Sequence, residues 1–302
     1  MPPDLRSIWI KEIRAPFLLI PIIFVPVGLA IAWDQGDFNP LAAALTMVGA
    51  VGMHASVNML NDYFDFRSGL DIVTTPTPFS GGSRVLPAKE LTPNSVLWAG
   101  MISLGVGLGI GSYFVYTFDF NPVLIAILVV ASLSVAGYSS VISHWGLGEL
   151  MAGLSFGPLL VLGTYFIQTH QVALQPVLVG ASLGILVAGI LYINEFPDTA
   201  ADVQTGRRHL VARWGKSTAA HRFGFLMGSA YAIIIAGVLC GIITPLALVS
   251  LLTLPKAWSA ARTLNGNYDK ALELIPGMAS TVMATLLTGV LLFIAYFALH
   301  FI

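Results

Sequence analysis

The sequence has a single cysteine, Cys240, among its 302 residues. One cysteine excludes an internal disulfide framework and a metal site built from several thiolates. Charged residues are also scarce, at 10% of the chain, whereas soluble domains have about 25%. The net charge is −1, so no basic excess indicates nucleic acid as a partner. The mean hydropathy of +0.83 instead indicates a chain that resides in a lipid bilayer.

The sequence contains several long apolar runs. A membrane-spanning helix needs about 20 mainly apolar residues, and the sequence contains nine candidate runs. We therefore predict an all-α fold class, a polytopic bundle of nine transmembrane helices forming one domain over residues 1–302. The predicted spans are 16–33, 41–60, 95–117, 121–141, 148–168, 173–193, 219–240, 242–258 and 276–300.

The basic residues indicate the orientation of this bundle. With nine spans, all 14 Lys and Arg residues fall at the N-terminus, in the loops after the second, fourth, sixth and eighth spans, or at the span ends that border those loops. The opposite loops, such as 34–40, 118–121 and 169–176, contain none. Because cytoplasmic loops collect Lys and Arg, we expect a cytoplasmic N-terminus.

Two long loops on the predicted cytoplasmic side, 61–94 and 194–218, open with the same pattern. The first begins Asn-Asp-Tyr-Phe-Asp and the second Asn-Glu-Phe-Pro-Asp, 133 residues later. Each pattern stands at the end of an even-numbered span. This repetition predicts a duplicated four-helix unit.

The two patterns, together with Asp71 and Asp202 that follow them, hold six of the 15 acidic residues. Residues three or four apart share a helix face, so their oxygen ligands form stripes. Carboxylates near the bilayer are costly unless paired or bound to metal, and Mg²⁺ prefers such ligands together with phosphate oxygens. The predicted catalytic and metal-binding residues are Asn61, Asp65, Asp71, Asn194, Asp198 and Asp202. Asp71 lies beyond Gly69, so we expect the helix to end first and the loop to fold Asp71 back.

Arginines follow both patterns, and arginine binds phosphate oxygens bidentately. The combination predicts a magnesium-bound diphosphate. The predicted substrate-binding residues are Arg67, Arg84, Arg207 and Arg208 for the phosphates, with Asn58 and His54, which extend the stripe of the first pattern back along the same helix face. His54 is a candidate for binding the acceptor or water, and it is equally compatible with core packing. The loop 74–82 is a candidate cap over the site. Glu149 is either a helix cap or a base beside the acceptor.

At these residues the sequence resembles the UbiA superfamily of intramembrane prenyltransferases. The resemblance covers nearly the whole chain and includes Arg14-Ala15-Pro16, both Asn/Asp patterns, and 206–210 (Gly-Arg-Arg-His-Leu). The gap from Asp65 to Asp71, together with 146–150, 156–158 and 163–165, is similar to the MenA branch, the 1,4-dihydroxy-2-naphthoate prenyltransferases of menaquinone synthesis.

The resemblance implies Mg²⁺-dependent transfer of a prenyl chain from an allylic polyprenyl diphosphate to an aromatic acceptor, with 1,4-dihydroxy-2-naphthoate as the expected acceptor. It also implies that Tyr138, at the cytoplasmic end of the fourth span, is a substrate-binding residue near the active site, with interfacial anchoring as an equal alternative. It further implies a dry cavity within the bundle, with the isoprenoid tail leaving sideways into lipid. The expected location is the cell (inner) membrane of a prokaryote, with the active site facing the cytoplasm.

Other functions remain open at this point. The same diphosphate chemistry would serve UbiA-type transfer to a different quinone precursor, to a lipid or to a sugar, and it would serve an intramembrane terpene cyclase. A transporter is the remote alternative. It would place charged residues or broken helices near the membrane midplane, whereas the second and sixth spans carry almost no ionisable groups apart from His54.

Overall fold

A computed structural model describes residues 4–33, 35–36, 38–73, 76–137, 145–204 and 206–301. These residues form helices and connecting loops, and none of them lies in a β-strand. The α-helices are α1 (Leu5–Glu12), α2 (Leu19–Trp33), α3 (Pro40–Ser68), α4 (Leu70–Val73), α5 (Pro93–Thr117), α6 (Pro122–Gly137), α7 (Gly148–Leu154), α8 (Leu160–Thr169), α9 (Leu174–Gln204), α10 (Leu210–Trp214), α11 (Lys216–Leu239), α12 (Leu254–Asn267) and α13 (Ile275–Leu299).

Helix α3 carries the first Asn/Asp pattern, and local sequence sets both of its ends. Asn39 caps the start, because its side chain accepts a hydrogen bond from the Ala42 backbone N–H, and Pro40 follows at the first helical position. The end is at Gly69, whose φ of 80° is the left-handed conformation of a helix C-cap. The short helix α4 then starts in a new direction.

Helix α9 is the central helix of the bundle. It packs against α7, α8, α11 and α13, and it carries the second Asn/Asp pattern near its C-terminal end. Buried apolar side chains surround it in two clusters. The site residues on α9 are therefore held by a helix with packed neighbours on most sides.

One contact of α9 is unusually close. It meets the segment formed by α7, a π-helical turn (Ser155–Leu159) and α8. A Cβ atom built on Gly184 would lie 2.2 Å from the Gly153 carbonyl oxygen, and one on Gly157 would lie 2.4 Å from the Gly180 carbonyl oxygen. Small residues spaced by four let membrane helices approach in this way.

Seven helical segments of the described residues are long and apolar enough to cross a membrane. They correspond to all the predicted spans except the fourth and eighth, so the chain is a polytopic integral membrane protein. The segments are Ala15–Trp33, Pro40–Ser68, Pro93–Thr117, Gly148–Thr169, Leu174–Gln204, Lys216–Leu239 and Ala271–Leu299.

The two remaining predicted spans differ from the expectation. For the fourth, α6 is described only to Gly137, and residues 138–141 lie outside the described part of the chain. For the eighth, the apolar run is not one α-helix: a 3₁₀ helix (Pro245–Thr253) leads directly into α12. The count of nine, the orientation and the duplication remain predictions.

Candidate active site

A cavity of about 420 Å³ opens between the ends of α3 and α9 and extends into the bundle. Its two parts differ in chemistry. The polar end is lined by Arg14, Asn61, Asp65, Asp71, Ser80, Asn194, Asp198, Asp202, Arg207 and His209. The deeper part is almost entirely apolar and includes Phe17, Met53, Ile110, Phe114, Ile127, Phe156, Leu160 and Ile190. A ligand that fits must have a polar head and a long hydrocarbon tail.

The first Asn/Asp pattern contributes three side chains to the polar end. Asn61 donates a hydrogen bond to the Asp65 Oδ2 atom over 2.9 Å, one helical turn away. The turn at Gly69 brings Asp71 to the same cavity, as the sequence predicts. Burial, together with the charges of Asp62 and Asp65, raises the pKa of Asp71 to about 7. The carboxylates of Asp62, Asp65 and Asp71 are thus close enough to repel one another.

The second pattern lines the opposite wall. Asn194, Asp198 and Asp202 lie on one face of α9 and all border the cavity, as their spacing predicts. The Asn194 Nδ2 atom donates to the Phe79 carbonyl oxygen over 2.9 Å, which fastens the loop after α4 to α9. The Oδ1 atoms of Asn194 and Asp198 are buried and have no hydrogen-bond partner among the described residues.

This donor set suits a hard cation. Two facing walls present carboxylate and amide oxygens, two of them buried and unpaired. Buried polar atoms without partners are uncommon because each costs about 1–3 kcal/mol. Mg²⁺ takes oxygen ligands and retains positions for water and phosphate oxygens. The residues present therefore fit Mg²⁺ bound together with a phosphorylated ligand.

Arg207 links the two walls. Its Nη2 atom donates to Asp65 Oδ1 on the α3 side, and its Nη1 atom lies 3.5 Å from Asp202 Oδ1 on the α9 side. A planar guanidinium can engage two acceptors in this way. Arg207 is consequently the predicted arginine that the structure places most directly in the cavity.

The other predicted substrate-binding residues have different positions. Arg67 and Arg208 are exposed and do not line the cavity. Arg84 lies behind it and donates to the Asp71 carbonyl oxygen. Tyr138 falls outside the described residues, as do Thr74 and Thr75 of the predicted cap. The later part of that loop, 79–82, does line the cavity.

Arg14 was not predicted as a site residue, yet it lines the polar end. It donates to the Asp62 Oδ1 atom, and Ser83 joins Asp62 to Glu12 through hydrogen bonds of 2.9 and 2.7 Å. Burial, followed by the charge of Asp62, raises the pKa of Glu12 to about 7. The signal in the sequence was Arg14-Ala15-Pro16 at the start of the first span, which is part of the family resemblance. Its φ of 50° turns the chain there.

His209 was also absent from the predicted site. It lies between two carboxylates, 3.1 Å from Glu195 Oε2 and 3.4 Å from Asp202 Oδ2. Burial would lower the pKa of His209, but its interactions with Asp202 and Glu195 raise it to about 10. Glu149, Glu195 and His209 each bring one ligand atom within 4.8 Å of the others. The histidine spacing in the sequence did not indicate this grouping of His209 with two glutamates.

His54 and Asn58 line the cavity on the same face of α3, deeper than Asn61. Asn58 donates to the Ile13 carbonyl oxygen over 2.9 Å. The His54 ring packs against Phe156, with ring centroids 4.4 Å apart. The sequence therefore identified the cavity-facing side of α3 along about three turns, from His54 to Asp65.

Comparison with known proteins agrees with this geometry. The UbiA prenyltransferase family matches residues 18–281. The 1,4-dihydroxy-2-naphthoate octaprenyltransferase of Escherichia coli (strain K12) is 29% identical over 226 residues, 73% of each chain. The enzyme of the same name from Bacillus subtilis (strain 168) is 27% identical over 281 residues, 92% of this chain and 89% of the relative.

The fold is shared as well. A UbiA homolog from Archaeoglobus fulgidus, solved bound to GPP and Mg²⁺, superposes with a TM-score of 0.63 at 12% identity, covering 98% of this chain and 100% of that one. The family match spans most of the sequence. The chain therefore belongs to the UbiA prenyltransferase family and is a prenyltransferase.

Proposed function

We propose that this enzyme transfers a polyprenyl chain from an allylic polyprenyl diphosphate to 1,4-dihydroxy-2-naphthoate, with Mg²⁺ as its cofactor. The observation that carries the proposal is the divided cavity, acidic and arginine-bearing at one end and apolar along the rest. The names of the bacterial relatives support the acceptor. The Mg²⁺ and GPP of the Archaeoglobus structure support the donor and the metal.

The length of the apolar part supports a long prenyl chain. Cavity-lining residues on α3 run from Thr46 to Asp65, and at about 1.5 Å per residue these 19 steps span about 28 Å. The hydrocarbon core of a bilayer is about 30 Å thick. The cavity as a whole therefore reaches most of the way across the membrane. Its apolar part lies below Asn58, and the 11 steps from Thr46 to Val57 span about 16 Å, beyond the room that one or two isoprene units need.

At the polar end we assign the diphosphate to the space between the two walls. Asp65 and Asp71 on one side, and Asp198 and Asp202 on the other, would hold Mg²⁺ with Asn61 and Asn194. Mg²⁺ held by these residues would supply positive charge that offsets the negative charge developing on the departing diphosphate. Arg207 lies between the walls and contacts both Asp65 and Asp202. It would bind phosphate oxygens and hold these two carboxylates in position.

The reaction follows from this placement. The allylic C–O bond breaks and the diphosphate leaves with the electron pair. The electron-rich ring then forms the new C–C bond to the prenyl carbon. When the attacked ring carbon bears the carboxylate, CO₂ leaves and its bonding electrons restore the aromatic ring. The apolar walls below Asn58 exclude water, which would otherwise capture the allylic cation.

We place the polar end of the cavity on the cytoplasmic side of a prokaryotic cell membrane. All 14 basic residues belong to one set of predicted loops, and the positive-inside rule puts that set in the cytoplasm. Both substrates would then reach the site from the compartment in which soluble precursors are made, while the tail stays in lipid.

Product analysis tests the proposal. Membranes containing the protein are incubated with labelled polyprenyl diphosphate, Mg²⁺ and a panel of acceptors that includes 1,4-dihydroxy-2-naphthoate and 4-hydroxybenzoate. We expect prenylated naphthoquinol and release of one CO₂ per transfer. Transfer only to another acceptor contradicts the naphthoate assignment, and formation of a cyclised hydrocarbon contradicts prenyl transfer.

The two-wall arrangement has its own test. Asp65→Asn and Asp198→Asn each keep the side-chain shape and remove one negative charge, one from each wall. We expect each to reduce Mg²⁺-dependent turnover by at least about 100-fold, as loss of a directly acting electrostatic group does. Near-normal turnover in either variant rules out a site that uses both walls.

A further inference from the structure

The deeper part of the cavity contains a polar side chain that the diphosphate chemistry leaves unexplained. His54 is only 6% exposed, and its ring borders the mainly apolar part of the cavity. The hydroxyl side chains that also line this part are different, because each donates a hydrogen bond within the protein; they are Thr46, Ser134, Ser155 and Thr164. Its Nδ1 atom has no hydrogen-bond partner among the described residues. A buried polar group without a partner costs about 1–3 kcal/mol, so a bound molecule with a polar atom would relieve this cost.

A prenyl tail cannot provide that atom. It is a hydrocarbon and forms no hydrogen bonds, so a histidine facing it would be less favourable than a leucine of similar size. A hydroxylated aromatic carboxylate, by contrast, has both a flat apolar ring and oxygen atoms. The chemistry of His54 therefore matches the second substrate of a prenyl transfer and not the first.

Phe156 provides the matching flat surface. Its ring lies against His54 with a centroid distance of 4.4 Å and an interplanar angle of 54°. Phe156 belongs to the π-helical turn Ser155–Leu159, where Pro158 has no N–H for the regular hydrogen-bond ladder. Single π-helical turns inside α-helices often occur at functional sites, and here the turn presents Phe156 to the cavity.

His54 and Phe156 also lie at a depth in the cavity that suits the acceptor. His54 is seven residues before Asn61 on α3, which places it about 10 Å further from the polar end at 1.5 Å per residue. The reacting prenyl carbon is one bond from the diphosphate, so the attacked ring carbon must lie just below the carboxylates. A two-ring acceptor held at that level extends towards His54 and Phe156.

We propose that His54 and Phe156 form the acceptor subsite, in which a hydroxylated aromatic carboxylate packs on Phe156 while a His54 ring N–H donates to one of its oxygens. This inference rests on the prenyl-transfer function proposed above and deepens it. His54 lies on the same face of α3 as the first acidic pattern, two helical turns deeper in the cavity. The proposal therefore assigns recognition of the acceptor to this face.

Direct binding tests the subsite without turnover. The full-length protein in detergent, without Mg²⁺, is titrated against 1-hydroxy-2-naphthoate, and the change in probe fluorescence gives the Kd. We expect His54→Leu to raise this Kd at least about tenfold, which equals about 1.4 kcal/mol. His54→Gln retains a donor and should weaken binding less. Phe156→Leu should also raise the Kd.

A matched control separates this effect from damage to the fold. Ser182 on α9 is 1% exposed, its Oγ atom also has no hydrogen-bond partner among the described residues, and it does not line the cavity. Ser182→Ala should leave the naphthoate Kd unchanged. Binding of geranyl diphosphate with Mg²⁺ should be the same in His54→Leu as in the natural protein, which shows that the polar end is intact.

The outcomes distinguish the two proposals. If the natural protein and His54→Leu bind hydroxynaphthoate equally, the subsite is wrong and the function stands. If the natural protein binds 4-hydroxybenzoate instead, and His54→Leu weakens that binding, the subsite stands and the naphthoate assignment falls. If the natural protein binds neither aromatic probe, the subsite is overturned, and product analysis then decides the function separately.

Discussion

Arg207 shows how much of the site depends on single side chains. Its guanidinium contacts Asp65 on α3 and Asp202 on α9, so one residue holds the two acidic walls at a fixed separation. Lysine would bring one charge but no planar fork, and it would satisfy only one of the two carboxylates. The neighbouring Arg208 is exposed, although the sequence alone gave both arginines the same role.

Arg207→Lys should therefore lower kcat/KM for the prenyl diphosphate by at least about tenfold, since about 1.4 kcal/mol of substrate and transition-state binding is lost. Arg208→Lys, the matched change at the next residue, should have little effect. Steady-state kinetics with varied prenyl diphosphate measure both variants. Equal losses in the two would contradict the bridging role of Arg207.

Glu12 should make the stability of the protein depend on pH. Burial and the nearby Asp62 raise the pKa of Glu12 from 4.5 to about 7. The folded state then binds a proton more tightly than the unfolded state. The contribution of Glu12 to the free energy of unfolding is therefore largest below about pH 4.5. It falls as the pH rises to about 7, by no more than about 3 kcal/mol.

Glu12→Gln removes this effect. The difference in melting temperature, variant minus natural protein, should therefore be larger at pH 8 than at pH 5. Thermal melting in detergent at the two pH values measures it. Glu90→Gln, which removes a partly exposed carboxylate paired with Lys11, is the control. A Glu12→Gln difference that does not change with pH would exclude the buried carboxyl as its cause.

The sequence could identify the acidic residues because helical spacing is local. Asn194, Asp198 and Asp202 share a face on any regular helix, and Gly69 indicated where α3 ends. Arg14 and His209 could not be found in this way. Each reaches the cavity through the path of the chain outside a helix, and that path is set by packing between residues distant in sequence.

At the level of helices, the close contact between α9 and the α7–α8 segment should be sensitive to one added methyl group. In Gly184→Ala the new Cβ would lie 2.2 Å from the Gly153 carbonyl oxygen, so the backbones must separate. We expect a loss of about 1–3 kcal/mol in stability. Thermal melting and the yield of folded protein measure it.

Gly228→Ala is the matched control, because Gly228 lies within α11 and nothing comes within 4 Å of an added Cβ. Alanine favours a helix over glycine by about 1 kcal/mol, so this variant should be as stable as the natural protein or more so. If Gly184→Ala were equally harmless, the close approach of the two backbones would not be needed.

Apolar runs predicted most helices because length and composition decide them. The seven long segments overlap their predicted spans, but α3 and α9 continue 8 and 11 residues past the predicted ends at 60 and 193. The eighth run was different: Pro245–Thr253 is a 3₁₀ helix. Composition does not separate 3₁₀ from α-helix, because the two differ in their backbone hydrogen bonds and not in the apolar residues that they accept.

For the protein as a whole, the predicted orientation can be tested through its single cysteine. In a Cys240→Ser background, one new cysteine is placed at Lys89, between α4 and α5, or at Asp119, between α5 and α6. Both positions are exposed. A membrane-impermeant maleimide should label Asp119→Cys in intact cells and Lys89→Cys only after the cells are opened. The reverse pattern would overturn the cytoplasmic placement of the active site.

The ion pair between Arg207 and Asp65 joins residues 142 positions apart, and this has a consequence for synthesis at the ribosome. At about 5–20 residues per second, Asp65 emerges roughly 7–28 s before its arginine. During that interval the first acidic pattern must stay at the hydrated membrane surface. The polar end of the cavity can close only when the second half of the chain arrives, which makes closure a late step in biogenesis and leaves a half-made chain without a working site.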